Sequence, residues 1–288
     1  MRARKPDIYW REGGCGPALV LVNGWSASGL AWPRAWVREL EDSFRVIRVD
    51  NRGSGYSRFA PTPFTMDDMA DDVAAVLDAA EADQAIVAGM SMGGMIAQEF
   101  AIHHPRRLAG LVLIATRPPA PAYVIPEAGS VIIELVQSPR KGETLETYFA
   151  KRWSTATGTG FAEREPEAIA ELARQTAERP TPRVMLMHQL RAVSGWGHAE
   201  RLTRIDAPAA VVHGTEDRLI HVLNGQRLAA MIPDARYLEL EGVGHLPPLE
   251  APDELLDMIA EVASVDARAE PSARVADQSE PAARTPAP

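Results

Sequence analysis

A serine hydroxyl attacks a carbonyl only when a base takes its proton. The run Gly89-Met90-Ser91-Met92-Gly93-Gly94 presents a serine in the local setting that such chemistry needs. A short aliphatic run, Ala85 to Ala88, precedes it, and Met95-Ile96-Ala97-Gln98-Glu99-Phe100 follows with a helical pattern. A chain turning that sharply from strand to helix holds its turn residue in a strained conformation. Small glycine neighbours let the backbones pass closely, and the hydroxyl is pushed outward. The base in turn needs a carboxylate to hold its tautomer and stabilise its charged form. The stretch from Val211 through His213 and Glu216 to Asp217 places Asp217 in the turn after another aliphatic run. Glu241-Gly242-Val243-Gly244-His245 places His245 in a Gly-rich loop after the run Arg236 to Leu240. The expected chemistry is nucleophilic attack by Ser91, with His245 as base and Asp217 as its acid partner.

Elements must bring these distant stretches together. Ala18 to Val22, Phe44 to Val49, Ala85 to Ala88, Leu111 to Ile114 and Ala209 to Val212 are aliphatic runs ending near Gly, Asn or Asp, the pattern of buried parallel strands. Between them Met66, Met69, Ala70, Val73, Leu77 and Ala80 recur at helical spacing, and Thr65 with Asp68 has the form of a capping box. The acidic residues of that helix, Asp67, Asp68, Asp71, Asp72 and Asp78, read as a solvated face rather than a metal site. The fold expected is α/β, a mainly parallel doubly wound sheet with helices on both faces, whose chemistry lies beyond the carboxyl ends of the strands. The alternation stops after Ile114 at Arg117-Pro118-Pro119-Ala120-Pro121. Residues 118–200 are therefore expected to form a helical cap over a core made of 1–117 and 201–263, with an Ala/Pro-rich disordered tail over 264–288.

Composition narrows the function classes. The 288 residues are 46% hydrophobic and 24% charged, the profile of a globular protein rather than a fibre or a disordered chain. A net charge of −9 gives no electrostatic reason to approach nucleic acid. No stretch approaches the apolar length of a membrane span, and the residues after Arg2, Arg4 and Lys5 lack the apolar region of a signal peptide. The lone Cys15 allows neither an intrachain disulfide nor a multi-cysteine metal site, so a cytoplasmic location is expected and an inert thiol is the simplest reading.

Five blocks in order carry a resemblance: Val22-Asn23-Gly24-Trp25, Asp50 to Ser57 with Arg52, Gly53 and Gly55, the serine elbow, the Asp217 turn and the His245 loop. Over roughly residues 8 to 262 the chain resembles an α/β-hydrolase of the serine-nucleophile branch. The resemblance implies Ser91, Asp217 and His245 as the catalytic triad, and an oxyanion hole from the backbone N–H groups of Trp25 and Met92. It implies no metal or organic cofactor and a small-molecule, ester-like substrate. The chain departs from the pattern at Asn23-Gly24, where the family usually has His-Gly; an Asn side chain can still brace that loop. Lactonases, carbon–carbon bond hydrolases and cofactor-free perhydrolases share these motifs, and some members are ligand-binding proteins without activity. Haloalkane dehalogenases and epoxide hydrolases carry a carboxylate at the elbow, where this chain has Ser91.

Other candidates are weaker. His103 and His104 end the elbow helix, where positive charge suits the helix dipole. His188 and His198 lie in the insertion, within reach of substrate; His213 reads as structural, and His221 is an outside candidate for the base. Glu216 adjoins Asp217, but the resemblance favours the aspartate. Asp50 and Arg52 match a structural turn. Tyr148, Phe149, Trp153, Phe161, Met185, Met187 and Trp196 are either the insertion's own core or the wall of an apolar pocket, with Trp153, Met187 and Trp196 the chosen substrate contacts.

Overall fold

The computed structural model describes residues 8–57, 60–125 and 138–269. Strands β1 (Trp10–Gly13), β2 (Ala18–Val22), β3 (Arg45–Val49), β4 (Ala85–Met90), β5 (Leu108–Ile114), β6 (Ala209–Gly214) and β7 (Arg236–Leu240) form one sheet in the order β1-β3-β2-β4-β5-β6-β7. All neighbours are parallel except β1, which runs antiparallel to β3 at the edge. The α/β architecture is the one expected, and β1 is an addition to it. Period-two alternation explains how the central strands serve two layers. Leu19 and Leu21 of β2 enter one apolar cluster while Val20 and Val22 enter the other, all four fully buried.

Helix α1 (Arg34–Glu41) buries Trp36, Val37 and Leu40, and α2 (Met66–Ala79) buries the Met66, Met69, Ala70, Val73 and Leu77 stripe. The capping box on α2 is present: the Asp68 N–H donates to Thr65 Oγ1 at 3.2 Å and the Thr65 N–H to Asp68 Oδ2 at 2.8 Å. Helix α3 (Met92–His103) leaves β4 directly at Ser91.

Between β5 and β6 the described residues form no strand of the sheet; their elements are α4 (Leu145–Ala156), α5 (Phe161–Arg164), α6 (Pro166–Glu178), α7 (Arg183–Ser194) and a 3-10 turn at Ala199–Arg204. The two ends of this stretch meet at a single bridge between Ala120 and Gly197. Helix α8 (Leu223–Met231) follows β6, and α9 (Pro247–Glu250) and α10 (Pro252–Ala269) follow β7. Helix α10 corrects the expected tail boundary. Residues 264–269 continue the helix, because Ala and Arg propagate a helix already nucleated by the buried Leu255, Ile259 and Val262. The rest of the expected tail, and Arg2, Arg4 and Lys5, lie outside the described residues.

Candidate active site

Ser91 stands between β4 and α3 with φ 55° and ψ −121°, the strained turn its setting demands. Its surroundings over-determine that conformation. The Ser91 N–H donates to Ile114 O at 2.9 Å, and Ser91 O accepts from the Gly94 N–H at 3.0 Å and the Thr116 hydroxyl at 2.6 Å. The glycine after the serine is required by close approach: a β-carbon at Gly93 would lie against the carbonyl of Val22. A β-carbon at Gly24 would stand 3.0 Å from Ser91 Cβ, so the Asn23-Gly24-Trp25 loop is seated directly on the serine.

Asp217 occupies the turn after β6, fully buried at its side chain. Oδ1 accepts the N–H groups of Leu219 (2.8 Å) and Ile220 (2.9 Å), and Oδ2 accepts Nδ1–H of His245 at 2.7 Å. Burial alone would raise this carboxyl, but the charge of His245 and the hydrogen bonds of His213 and His245 overcome it and hold Asp217 well below the usual carboxylate range. Glu216 points elsewhere, accepting the Thr159 N–H at 2.6 Å, so geometry joins His245 to the aspartate and not to its neighbour.

The two residues that brace this pair were not assigned to the site from sequence. His213, fully buried, shares its Nε2 hydrogen between Ile220 O at 2.7 Å and Asp217 Oδ2 at 3.3 Å; Ile220 O has only lone pairs to offer, so Nε2 is the donor. It is structural, as expected, but its contact is with the acid itself. Glu250 accepts the N–H groups of Gly244 (3.0 Å) and Leu246 (3.1 Å), the residues on either side of His245, and of Gly158 at 2.7 Å. The His245 N–H donates to Ala156 O at 2.7 Å, so the histidine loop is tied to the end of α4.

Ser91, His245, Trp25 and Met92 all line one cavity of about 440 Å³. Among the described residues the backbone N–H groups of Trp25 and Met92 donate to no protein acceptor. Asn23 braces the Trp25 loop as a side chain, with Oδ1 accepting the Gly24 N–H at 2.7 Å and Nδ2 donating to Ser28 O at 3.2 Å. The cavity wall is mainly aliphatic and methionine-rich, from Met90, Met95, Leu190, Val193, Leu219 and Leu246. Arg117 and Arg152 interrupt it.

Trp153 and Trp196 line the cavity, each with its indole N–H turned away, to Thr176 Oγ1 (3.2 Å) and Glu99 Oε1 (2.6 Å). Met187 is a correction: it is 60% exposed and lies off the cavity. It sits two positions from the buried Gln189 on α7, about 200° round the helix, so it faces outward. Tyr148, Phe149, Phe161 and Met185 pack against the apolar clusters instead. Of the remaining histidines, His188 faces Phe64, His198 is exposed beside Glu200, and His221 Nδ1 accepts the Leu223 N–H; none lines the cavity.

The acidic residues of α2 are engaged in pairs. Asp72 is bridged by Arg52 at 2.6 and 2.7 Å, Asp71 by His104 at 2.8 Å and Asp78 by Arg107 at 2.7 Å. Asp67, Glu99 and His103 bring potential metal-ligating atoms within 4.8 Å of one another, and Glu99 Oε1 also accepts from Arg201 Nη2 at 2.9 Å. Asp50 accepts the Gly29 and Tyr56 N–H groups at 2.6 and 2.8 Å and closes the expected structural turn.

Comparison with known proteins identifies the family of this fold. A family model described as the alpha/beta hydrolase fold matches residues 17–252. The chain is 28% identical to a pimeloyl-[acyl-carrier protein] methyl ester esterase of Aeromonas hydrophila, over 85% of this chain and 95% of the relative. It is 29% identical to 3-oxoadipate enol-lactonase 2 of Acinetobacter baylyi, over 82% and 84% respectively. Among solved structures, the esterase RhEst1 from Rhodococcus sp. ECU1013 superposes with a TM-score of 0.75 at 28% identity, covering 89% of this chain and 94% of that one.

Proposed function

The chain belongs to the alpha/beta hydrolase fold family, and from that premise we propose a serine hydrolase that cleaves carboxylic esters through an acyl-enzyme. The observation that carries this reading is the 2.7 Å bond from His245 Nδ1 to the buried Asp217, with His245 and Ser91 lining one cavity. Because Nδ1–H is directed at Asp217, Nε2 is the nitrogen left to accept a proton. In the proposed reaction Ser91 Oγ attacks the ester carbonyl while His245 Nε2 takes its proton, and Asp217 stabilises the imidazolium. The carbonyl oxygen becomes an oxyanion facing the Trp25 and Met92 N–H groups, each worth roughly 10²–10³ in rate. The tetrahedral species collapses, His245 returns the proton to the departing alcohol, and the acyl group stays on Ser91. Water then attacks, giving its proton to His245, and Ser91 leaves with that proton as the acid is released.

Of the expected cap over residues 118–200, residues 126–137 lie outside the described residues; the described part is read as a cap over the cavity, with Trp153 and Trp196 as substrate contacts. A small to medium, largely apolar ester suits a cavity of about 440 Å³ with such walls. A lactone is an internal ester and undergoes the same attack, a reading favoured by the enol-lactonase relative. Among the described residues no helix is long and apolar enough to cross a membrane, and the exposed free Cys15 suits a reducing cytoplasm.

Hydrolysis of p-nitrophenyl esters of increasing acyl length, together with a simple lactone, tests the reading. Ser91→Ala is expected to lower kcat on the order of 10⁶-fold, as for triads acting as a unit. A Ser91→Ala protein retaining most activity would overturn it.

A further inference from the structure

We propose that Arg152 is the counter-cation for an ionised group on the substrate, so that the ester cleaved at Ser91 carries a carboxylate of its own. The proposal rests on the serine-hydrolase reading above and narrows its substrate class.

Arg152, on α4, is 7% exposed and forms part of the wall of the cavity that holds Ser91 and His245. Its protein partners are neutral and distant: Nη1 donates to the Tyr148 hydroxyl at 3.3 Å and Nη2 to the Ser26 hydroxyl at 3.3 Å. Nε is buried with no acceptor. Among the described residues no carboxylate lies within 4 Å of this guanidinium. The faces of Trp25, Tyr148, Phe149 and Trp153 surround it at 5.5–6.0 Å, which eases a desolvated cation but leaves its N–H donors unsatisfied.

Among the described residues the other buried arginine, Arg52, is treated differently: Asp72 holds it bidentately. The second arginine of the cavity, Arg117, resembles Arg152: its Nη1 donates to Pro118 O, it stacks at 4.0 Å on Tyr123, and no described carboxylate lies within 4 Å. Burial pulls both guanidiniums below their ordinary range, a sign of charge without a compensating anion. A buried charge without a partner is costly, and a planar guanidinium with free donors matches a carboxylate in two parallel hydrogen bonds.

Arg152 also touches Ser26, two residues beyond Gly24, which is seated on Ser91, and both Arg152 and Ser91 line the one cavity of about 440 Å³. The ligands this arrangement points to are short acyl chains bearing a terminal carboxylate, as in half-esters of small dicarboxylic acids.

The test compares monomethyl succinate, glutarate and adipate with the matching terminal amides, followed by acid release. Wild-type protein is expected to favour the carboxylate in at least one pair by roughly ten- to a hundredfold in kcat/KM, carried mainly by KM. Arg152→Met should abolish that preference and Arg152→Lys should restore part of it, both variants melting cooperatively. Free glutarate should raise the Tm of the wild-type protein and not of Arg152→Met, a readout independent of turnover. Equal or better use of the amides throughout, or a preference that survives in Arg152→Met, would overturn the proposal. Wild-type protein that cleaves p-nitrophenyl butyrate without charge preference refutes only the role of Arg152. A protein that glutarate stabilises through Arg152 but that cleaves no ester refutes the hydrolase reading alone.

Discussion

Glu250 fixes the backbone on both sides of His245 and fastens it to Gly158 in the insertion. Burial raises its carboxyl, and three backbone N–H groups pull the other way by favouring the ionised form. An amide in its place keeps one acceptor oxygen and turns its NH2 toward at least one of these backbone N–H groups. Glu250→Gln is therefore expected to lower kcat about 10²-fold through misplacement of His245, with stability down by ~1–3 kcal/mol in urea denaturation. Wild-type kcat in that variant would show that the loop holds itself. The reacting groups were legible in the sequence, since a serine between glycines, an acid after a strand and a histidine in a Gly-rich loop each carry a local signature. Glu250, His213 and Arg152 carry none. The partners that give them meaning lie 92 residues away at Gly158 for Glu250 and 126 away at Ser26 for Arg152, and only the fold brings them together.

The elements divide in the same way, by whether their signal is local. Central strands β2, β4, β5 and β6 are covered on both faces, so their aliphatic runs announce them. Strand β1, Trp10-Arg11-Glu12-Gly13, pairs on one side only and shows no such run. Helix α2 was legible down to its first hydrogen bonds, because a capping box is written in four consecutive residues. Thr65→Ala removes the acceptor for the Asp68 N–H and should cost about 1 kcal/mol of stability, while kcat/KM for a small ester stays at the wild-type value. Chemical denaturation checks it; an unchanged midpoint would mean that α2 is held by its buried stripe alone. The elbow between β4 and α3 was legible for a related reason, since its strain and its close backbone contacts demand glycine at fixed positions.

On the scale of the whole molecule, the insertion is stitched to the sheet through buried polar groups. Gln189 of α7 donates to Arg52 O at 3.1 Å and Ser54 Oγ at 3.0 Å and accepts the Ser26 N–H, while the Trp25 indole donates to Leu186 O at 3.0 Å. The last two of these bonds hold the Trp25 loop, so α7, which lines the cavity with Leu190 and Val193, also positions the loop beside Ser91. The proline-rich exit after Ile114 announced that an insertion begins; the way its helices dock depends on distant polar contacts and was not readable. The account as a whole stands on Ser91 being a nucleophile activated by His245. Intact-protein and peptide mass spectrometry after exposure to a fluorophosphonate measures this directly. We expect one phosphonyl group per chain, on the peptide containing Ser91, absent in Ser91→Ala and formed far more slowly in His245→Ala. Folded wild-type protein that takes up no label, or that is labelled equally well without Ser91, would contradict it.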